Sequence, residues 1–505
     1  MTLARSLAVL LLAAVLVPLA AVAWRGSGLA FGPSDWAAVR FTILQAVVSA
    51  ALATGLAIPV ARAIARRSFP GRGLLITLLG APFLLPAVVA VLGLLAVFGR
   101  SGIVNQTLQA SGLPPVSIFG MQGVILVHVF LNLPLAIRMI LHGWLAIPQE
   151  RVRLAQSLGF RPADIARHLE RPMLREVLPG VALIIAVLCL TSFAAALMLG
   201  GGPAATTVEL AIYQAVRFDF DLGRAAALAL VQVVVTGVAA ILVLTVAQPS
   251  GLGLGLGQEV RLPGPPGWRR VVDIGAIGLA VGFLAVPMLA VVLRGLPGVP
   301  TLPVEVLAAA GRSVAVAIAS AGLATAVALT LALGAVRGNP MVEIAATLPL
   351  ATSGLVLGTG LFLLVQPLVT PMTVALPVTV LVNTLLSVPL LYRILVPEAR
   401  ALAADYGRLA DSLALAGWAR LRWLVLPRLA RPLGFGAGIA AALAMGDLGV
   451  ITLFAGDGQA TLPLLIQRLA GAYRLEGALA ASVLLVLLSF ALYWVCEAGG
   501  RRAAA

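Results

Sequence analysis

Arg153-Leu154-Ala155-Gln156-Ser157-Leu158-Gly159 returns 255 residues later as Arg408-Leu409-Ala410-Asp411-Ser412-Leu413-Ala414. A proline follows thirteen positions past the seventh residue in each copy, at Pro172 and Pro427. The register extends both ways without a gap. Pro134, Leu135 and Arg138 match Pro389, Leu390 and Arg393, while Leu174 pairs with Leu429 and Ala205-Thr206 with Ala460-Thr461. Identities in Ala and Leu are cheap in such a sequence, but Arg, Ser, Thr and Pro in one ungapped register are not. Further upstream, Ser49-Ala50-Ala51-Leu52-Ala53-Thr54 resembles Ser320-Ala321-Gly322-Leu323-Ala324-Thr325 at an offset of 271. The chain reads as two copies of one unit.

The solvent of that unit follows from composition. Of 505 residues 61% are hydrophobic and 10% charged, with a mean hydropathy of +1.08. A soluble exterior cannot be built from so little polar surface. Apolar runs near 20 residues, the length of a bilayer-crossing helix, recur throughout. They predict twelve spans: 6–24, 42–62, 74–98, 121–143, 180–199, 225–246, 271–293, 308–335, 343–366, 375–396, 433–454 and 476–496. The expected fold is an all-α polytopic membrane protein of two parallel halves, 1–246 and 271–505, with six spans each. A Gly/Pro-rich stretch, 247–270, reads as a cytoplasmic linker between them. The first span, with Arg5 before it, is as long as a full crossing and reads as a retained anchor; a cleaved signal peptide is the competing reading.

Arginines set the orientation. Segment 62–72 carries Arg62, Arg66, Arg67 and Arg72, and segments 144–179 and 397–432 carry six apiece, whereas 99–120 has Arg100 alone and 367–374 none. With twelve spans all three rich segments share the side of the N-terminus, which is therefore expected in the cytoplasm. The net charge of +15 thus reports membrane orientation, and nucleic-acid binding is not indicated.

All 34 basic residues are arginine. Without lysine the chain has no Walker A loop and no Schiff-base chemistry. Its three histidines and two cysteines lack metal-ligand spacing. No cofactor or metal is expected in this chain, and ATP, if used, must be bound by another subunit.

The matched loops, 149–174 and 404–429, are longer than a helix connection requires. Helix-forming stretches are expected at 149–158 and 163–170, ending before Pro172, and at 405–415 and 418–425, ending before Pro427. Their spacing resembles the coupling loop of type I ABC importer permeases, in which Glu-Ala-Ala is followed by Gly and then Leu-Pro. The resemblance implies docking on a cytoplasmic ABC ATPase, two copies per fused chain, and residues Arg153, Leu154, Ala155, Ser157, Gly159, Pro172, Arg408, Leu409, Ala410, Ser412, Ala414 and Pro427 would form the couplers. Arginine replaces the family's usual glutamate in both copies, so Ala155, Ala410 and the following helix would do the docking. Ala414 stands where glycine is usual. The bland reading is a pair of basic loops that serve orientation alone.

The segment 188–221 is similar to the permeases of thiamine and thiamine pyrophosphate importers, through Thr191-Ser192-Phe193, Gly200-Gly201-Gly202-Pro203 and Thr206-Thr207-Val208-Glu209-Leu210-Ala211-Ile212-Tyr213-Gln214. The likeness implies an inner-membrane permease that receives thiamine or its phosphates from a periplasmic binding protein. Ferric-iron, polyamine and phosphonate importers share the plan and are the alternatives. Gly201, Glu209 and Tyr213 are candidate contacts for the binding protein. Asp447, the acid placed well inside a span, has Ser192 as its repeat partner. Thr191, Ser192 and Asp447 are candidates for the translocation path, with helix–helix hydrogen bonding as the structural alternative. An ion-coupled secondary transporter would need more intramembrane acids or histidines, and a membrane enzyme a convergent catalytic cluster.

Overall fold

A computed structural model describes residues 2–26, 31–80, 85–202, 205–246, 267–336 and 338–503. Residues 247–266, most of the expected linker, lie outside them. Eleven helices among the described residues are long and apolar enough to cross a bilayer, and the pair Pro340–Ala351 with Gly354–Val365 passes the same test across a 97° bend. No strand occurs among the described residues. Helices satisfy their own backbone polar groups, the condition for crossing hydrocarbon.

The first half contains α1 (Thr2–Gly26), α2 (Pro33–Arg66), α3 (Arg72–Leu78), α4 (Ala87–Phe98), α5 (Ile103–Ala110), α6 (Met121–Leu145), α7 (Gln149–Ser157), α8 (Pro162–Ile165), α9 (Arg171–Leu190), α10 (Phe193–Leu199), α11 (Val208–Arg217) and α12 (Leu222–Val246). The second contains α13 (Trp268–Gly295), α14 (Val304–Ala335), α15 (Pro340–Thr347), α16 (Gly354–Val365), α17 (Ala375–Ser412), α18 (Gly417–Arg420), α19 (Leu426–Met445), α20 (Gly449–Phe454), α21 (Leu462–Gly471) and α22 (Leu475–Ala503). Element order repeats, and α8 and α9 fall 255 residues before α18 and α19 at both ends. Between each pair lies one π-helical turn, Ala166–Glu170 and Leu421–Val425, again 255 apart.

That π turn corrects one expectation. The helices predicted to stop before Pro172 and Pro427 run through into the spans. Proline lacks an amide and its ring crowds the carbonyl four residues back, which ordinarily breaks a helix. Here the amide of Arg171 bonds the carbonyl of Ala166, and that of Leu426 the carbonyl of Leu421, each five residues back. The wider turn accommodates the ring. A second correction concerns 405–415, which is the continuous end of α17 rather than a separate helix. In the first copy Pro148 separates α6 from α7; its counterpart is Ala403, which lets α17 continue.

Three expected spans are interrupted. The 180–199 span breaks at Thr191-Ser192 between α9 and α10, the 433–454 span at Gly446–Leu448 between α19 and α20, and the 343–366 span bends at Thr352-Ser353. The expected 74–98 span consists of α3 and α4, with residues 81–84 outside the described set.

One apolar core joins the halves. Ala8 and Leu11 of α1, Ile212 of α11 and Leu228 of α12 belong to the same buried cluster as Val356 of α16, Ala441 of α19 and Phe454 of α20. The first helix of each half crosses to the other. α1 packs on α14, α15 and α16, and α13 packs on α2 and α4. On the arginine-rich side Arg67 Nε donates to Asp273 Oδ2 at 2.7 Å, tying the end of α2 to α13.

Candidate functional site: coupling loops and the seam between halves

The first residues of each matched loop form a helical turn that ends in a left-handed residue. Gly159 has φ +65° and Ala414, its counterpart, φ +51°. In each copy the following amide closes the helix, Phe160 N to Ala155 O and Leu415 N to Ala410 O, both at 2.9 Å. This is the Schellman closure that glycine favours. Ala414 adopts it with a Cβ, at a cost of roughly 1 kcal/mol.

Ala155 and Ala410 are buried, 3% and 1% exposed, against the chain itself. The expectation that they supply the docking contact is therefore corrected: they seat the loops on their own halves. The outward apolar residues are Leu154 and Leu158 in one loop, Leu409 and Leu413 in the other, followed by Trp418 and Trp423. Arg153, Ser157, Arg408 and Ser412 are exposed beside them. The signal for Leu158 and Leu413 was present in the sequence, since leucines four apart share one helical face.

What holds each loop differs between copies. Glu170, in the first π turn, is buried and receives Arg66 Nε at 3.0 Å, Arg66 Nη2 at 2.6 Å, Trp144 Nε1 at 3.3 Å and Arg62 Nη2 at 3.1 Å. One carboxylate thus gathers the arginine-rich end of α2, the end of α6 and the start of α9. At the matching place in the second copy stands Val425, packed with Leu402 and Leu429, while Arg428 lies over the Tyr406 ring at 4.5 Å. The first loop has an ionic anchor and the second an apolar one.

The interrupted helices meet along the seam. At the end of α9, Gln45 Nε2 donates to Cys189 O at 3.0 Å and Gln232 Nε2 to Leu190 O at 2.8 Å, satisfying carbonyls the break sets free. Thr191 Oγ1 turns back to Val187 O, and Ser192, partly exposed, precedes α10. Across the seam, Gly446 lies against Pro86 of the first half. Asp447 Oδ1 accepts the amide of Gly449 at 3.2 Å, a local turn bond just ahead of α20.

Glu209 is 2% exposed in the first turn of α11, facing inward. The helix it opens packs against α16, which starts just after Ser353 at the 97° bend, and against α20, which starts just after Asp447. The sequence placed it at an outer surface; burial removes it from that role and brings it to the seam. Tyr213 is half-buried, with its ring edge-on to Phe193 and Phe218. Gly201 is exposed with φ +68°, beside Phe119. Among the described residues no group of histidine, cysteine or acid could hold a metal.

No protein-family profile matches the chain. Individual proteins do. The thiamine transport system permease protein ThiP of Escherichia coli (strain K12) is 37% identical over 480 residues, covering 92% of this chain and 88% of that protein. Its namesake in Salmonella typhimurium (strain LT2) is 38% identical over 487 residues, 94% and 90% of the two chains. That of Haemophilus influenzae is 31% identical over 464 residues, 89% and 86%.

Proposed function

The chain belongs to the family of thiamine transport system permeases, and we propose that it is the membrane subunit of an ATP-driven importer for thiamine or its phosphates. In this reading a periplasmic binding protein delivers the solute to the outer face, near Gly201 and Tyr213. Two cytoplasmic ABC ATPase subunits engage the loops 149–174 and 404–429. The chain lies in the bacterial inner membrane with its N-terminus in the cytoplasm. It moves solute, and ATP is hydrolysed by the separate ATPase subunits, in keeping with a sequence that has no lysine for a Walker A loop.

The observation that carries the proposal is likeness to thiamine permeases over nine-tenths of the chain, joined to a doubled cytoplasmic element with outward leucines. The second helix of each loop, α8 or α18, continues through its π turn into a span that stops at the seam. A displacement of α8 by an ATPase would therefore reach Thr191-Ser192 along α9, and one of α18 would reach Asp447 along α19. Those three residues are the proposed lining of the path, opened alternately to each side as the halves rock.

The test is uptake of labelled thiamine in cells lacking their own importer and supplied with this chain, its ATPase and its binding protein. Accumulation that disappears when the Walker lysine of the ATPase is replaced supports the proposal. Accumulation that persists without the ATPase contradicts it.

A further inference from the structure

We propose that Glu209 and Asp447 form a cation-binding site on the seam, occupied by the positively charged ring of the solute during passage. The inference rests on the thiamine reading above, since the thiazolium ring of thiamine carries a permanent positive charge.

The two acids come from different halves. Glu209 stands in the first turn of α11 in the first, and Asp447 joins α19 to α20 in the second; α11 packs on α20 and on α16, whose N-cap is Ser353. Among the described residues neither acid has an arginine or histidine in ion-pair contact. Independently of their proximity, each leaves a buried oxygen without a hydrogen-bond partner, Oε1 of Glu209 and Oδ2 of Asp447. A buried carboxylate with an unsatisfied oxygen is costly. Two of them at the starts of helices packed on each other are costlier, and a cation placed between them removes both penalties.

Helix starts alone do not require this arrangement. Backbone amides at an N-terminus favour a nearby acid, and Asp447 uses one oxygen that way. Yet the positions that match them in the 255-residue register, Ser192 for Asp447 and Leu464 for Glu209, carry no charge. Each acid is therefore present in one copy of the repeat and absent from the other. The kind of cation follows from the donors. A compact divalent ion takes six or more oxygens, whereas the seam offers two carboxylates and one hydroxyl. A broad monovalent organic cation needs the charge without the full shell.

The experiment uses the reconstituted complex of this chain, its ATPase and its binding protein in vesicles. Transport is compared for thiamine and for a neutral isostere whose thiazolium is replaced by an uncharged aromatic ring, each presented on saturating binding protein. The variants are Glu209→Gln and Asp447→Ser, the latter placing there the residue type that stands at the matched position, Ser192. The ratio of the two rates does not depend on how much variant protein folds. The expected result is a preference for thiamine in the wild type that falls by about tenfold in either variant, the scale of a lost charge-assisted contact. An unchanged ratio, whether rates are normal or both fall together, overturns the site. A wild-type complex that carries neither solute overturns the thiamine reading instead.

Discussion

The carbonyl of Pro18 in α1 lies against Gly360 in α16 so closely that any side chain at position 360 would overlap it. The same relation recurs with the halves exchanged, where Gly93 in α4 meets the carbonyl of Pro287 in α13. Glycine, which has no side chain, lets the other helix approach backbone to backbone at this point. Each crossing helix is thus fixed to the opposite half at one matched point.

Adding a methyl at either point forces the helices apart. Gly360→Ala and Gly93→Ala should each destabilise the detergent-solubilised protein by about 1–3 kcal/mol, the usual cost of overpacking. Gly322→Ala, where a Cβ meets open space, serves as the control and should leave the melting temperature unchanged. Equal melting of all three would contradict the crossing contact.

The ionic anchor makes a sharper prediction. Glu170→Val leaves Arg66 buried without its partner and should cost about 3–5 kcal/mol. The pair Glu170→Val with Arg66→Leu copies the apolar solution seen around Val425 and should recover most of that loss. A thermal-denaturation double-mutant cycle reads the coupling directly; additive effects would refute the anchor.

Repeats were legible because polar identities survived in one register, and the spans because hydrocarbon demands length. The breaks were not. A helix interrupted at Thr191 looks continuous in an apolar window, since the residues that permit it, Gln45 and Gln232, come from distant helices. The π turns were hidden for a related reason: Pro172 and Pro427 signal a stop, and only hydrogen bonds five residues back show the helix continuing. Glu209 was misplaced because a short helix between spans reads as a surface loop, and its burial depends on α16 and α20 packing over it.

The left-handed turn that closes the first helix of each matched loop can be tested by exchange. Ala414→Gly should stabilise the protein by roughly 1 kcal/mol and Gly159→Ala should destabilise it by a similar amount. A rise in melting temperature for the first and a fall for the second would be the signature; shifts of the same sign would contradict the assignment.

The outward leucines bear on assembly rather than folding. Leu158→Asp and Leu413→Asp change exposed positions and should leave melting within experimental scatter. Each should weaken capture of the ATPase at least about tenfold, as loss of an apolar anchor in an interface does. Retention of full capture by the double variant would place the docking surface elsewhere.

The most direct measurement is the ATPase activity of the purified complex in lipid, with binding protein added empty or loaded with thiamine. Thiamine-loaded protein should stimulate hydrolysis well above the empty form, and the double leucine variant should lose the stimulation. Hydrolysis indifferent to thiamine, or driven only by binding protein carrying another solute, would contradict the proposed function.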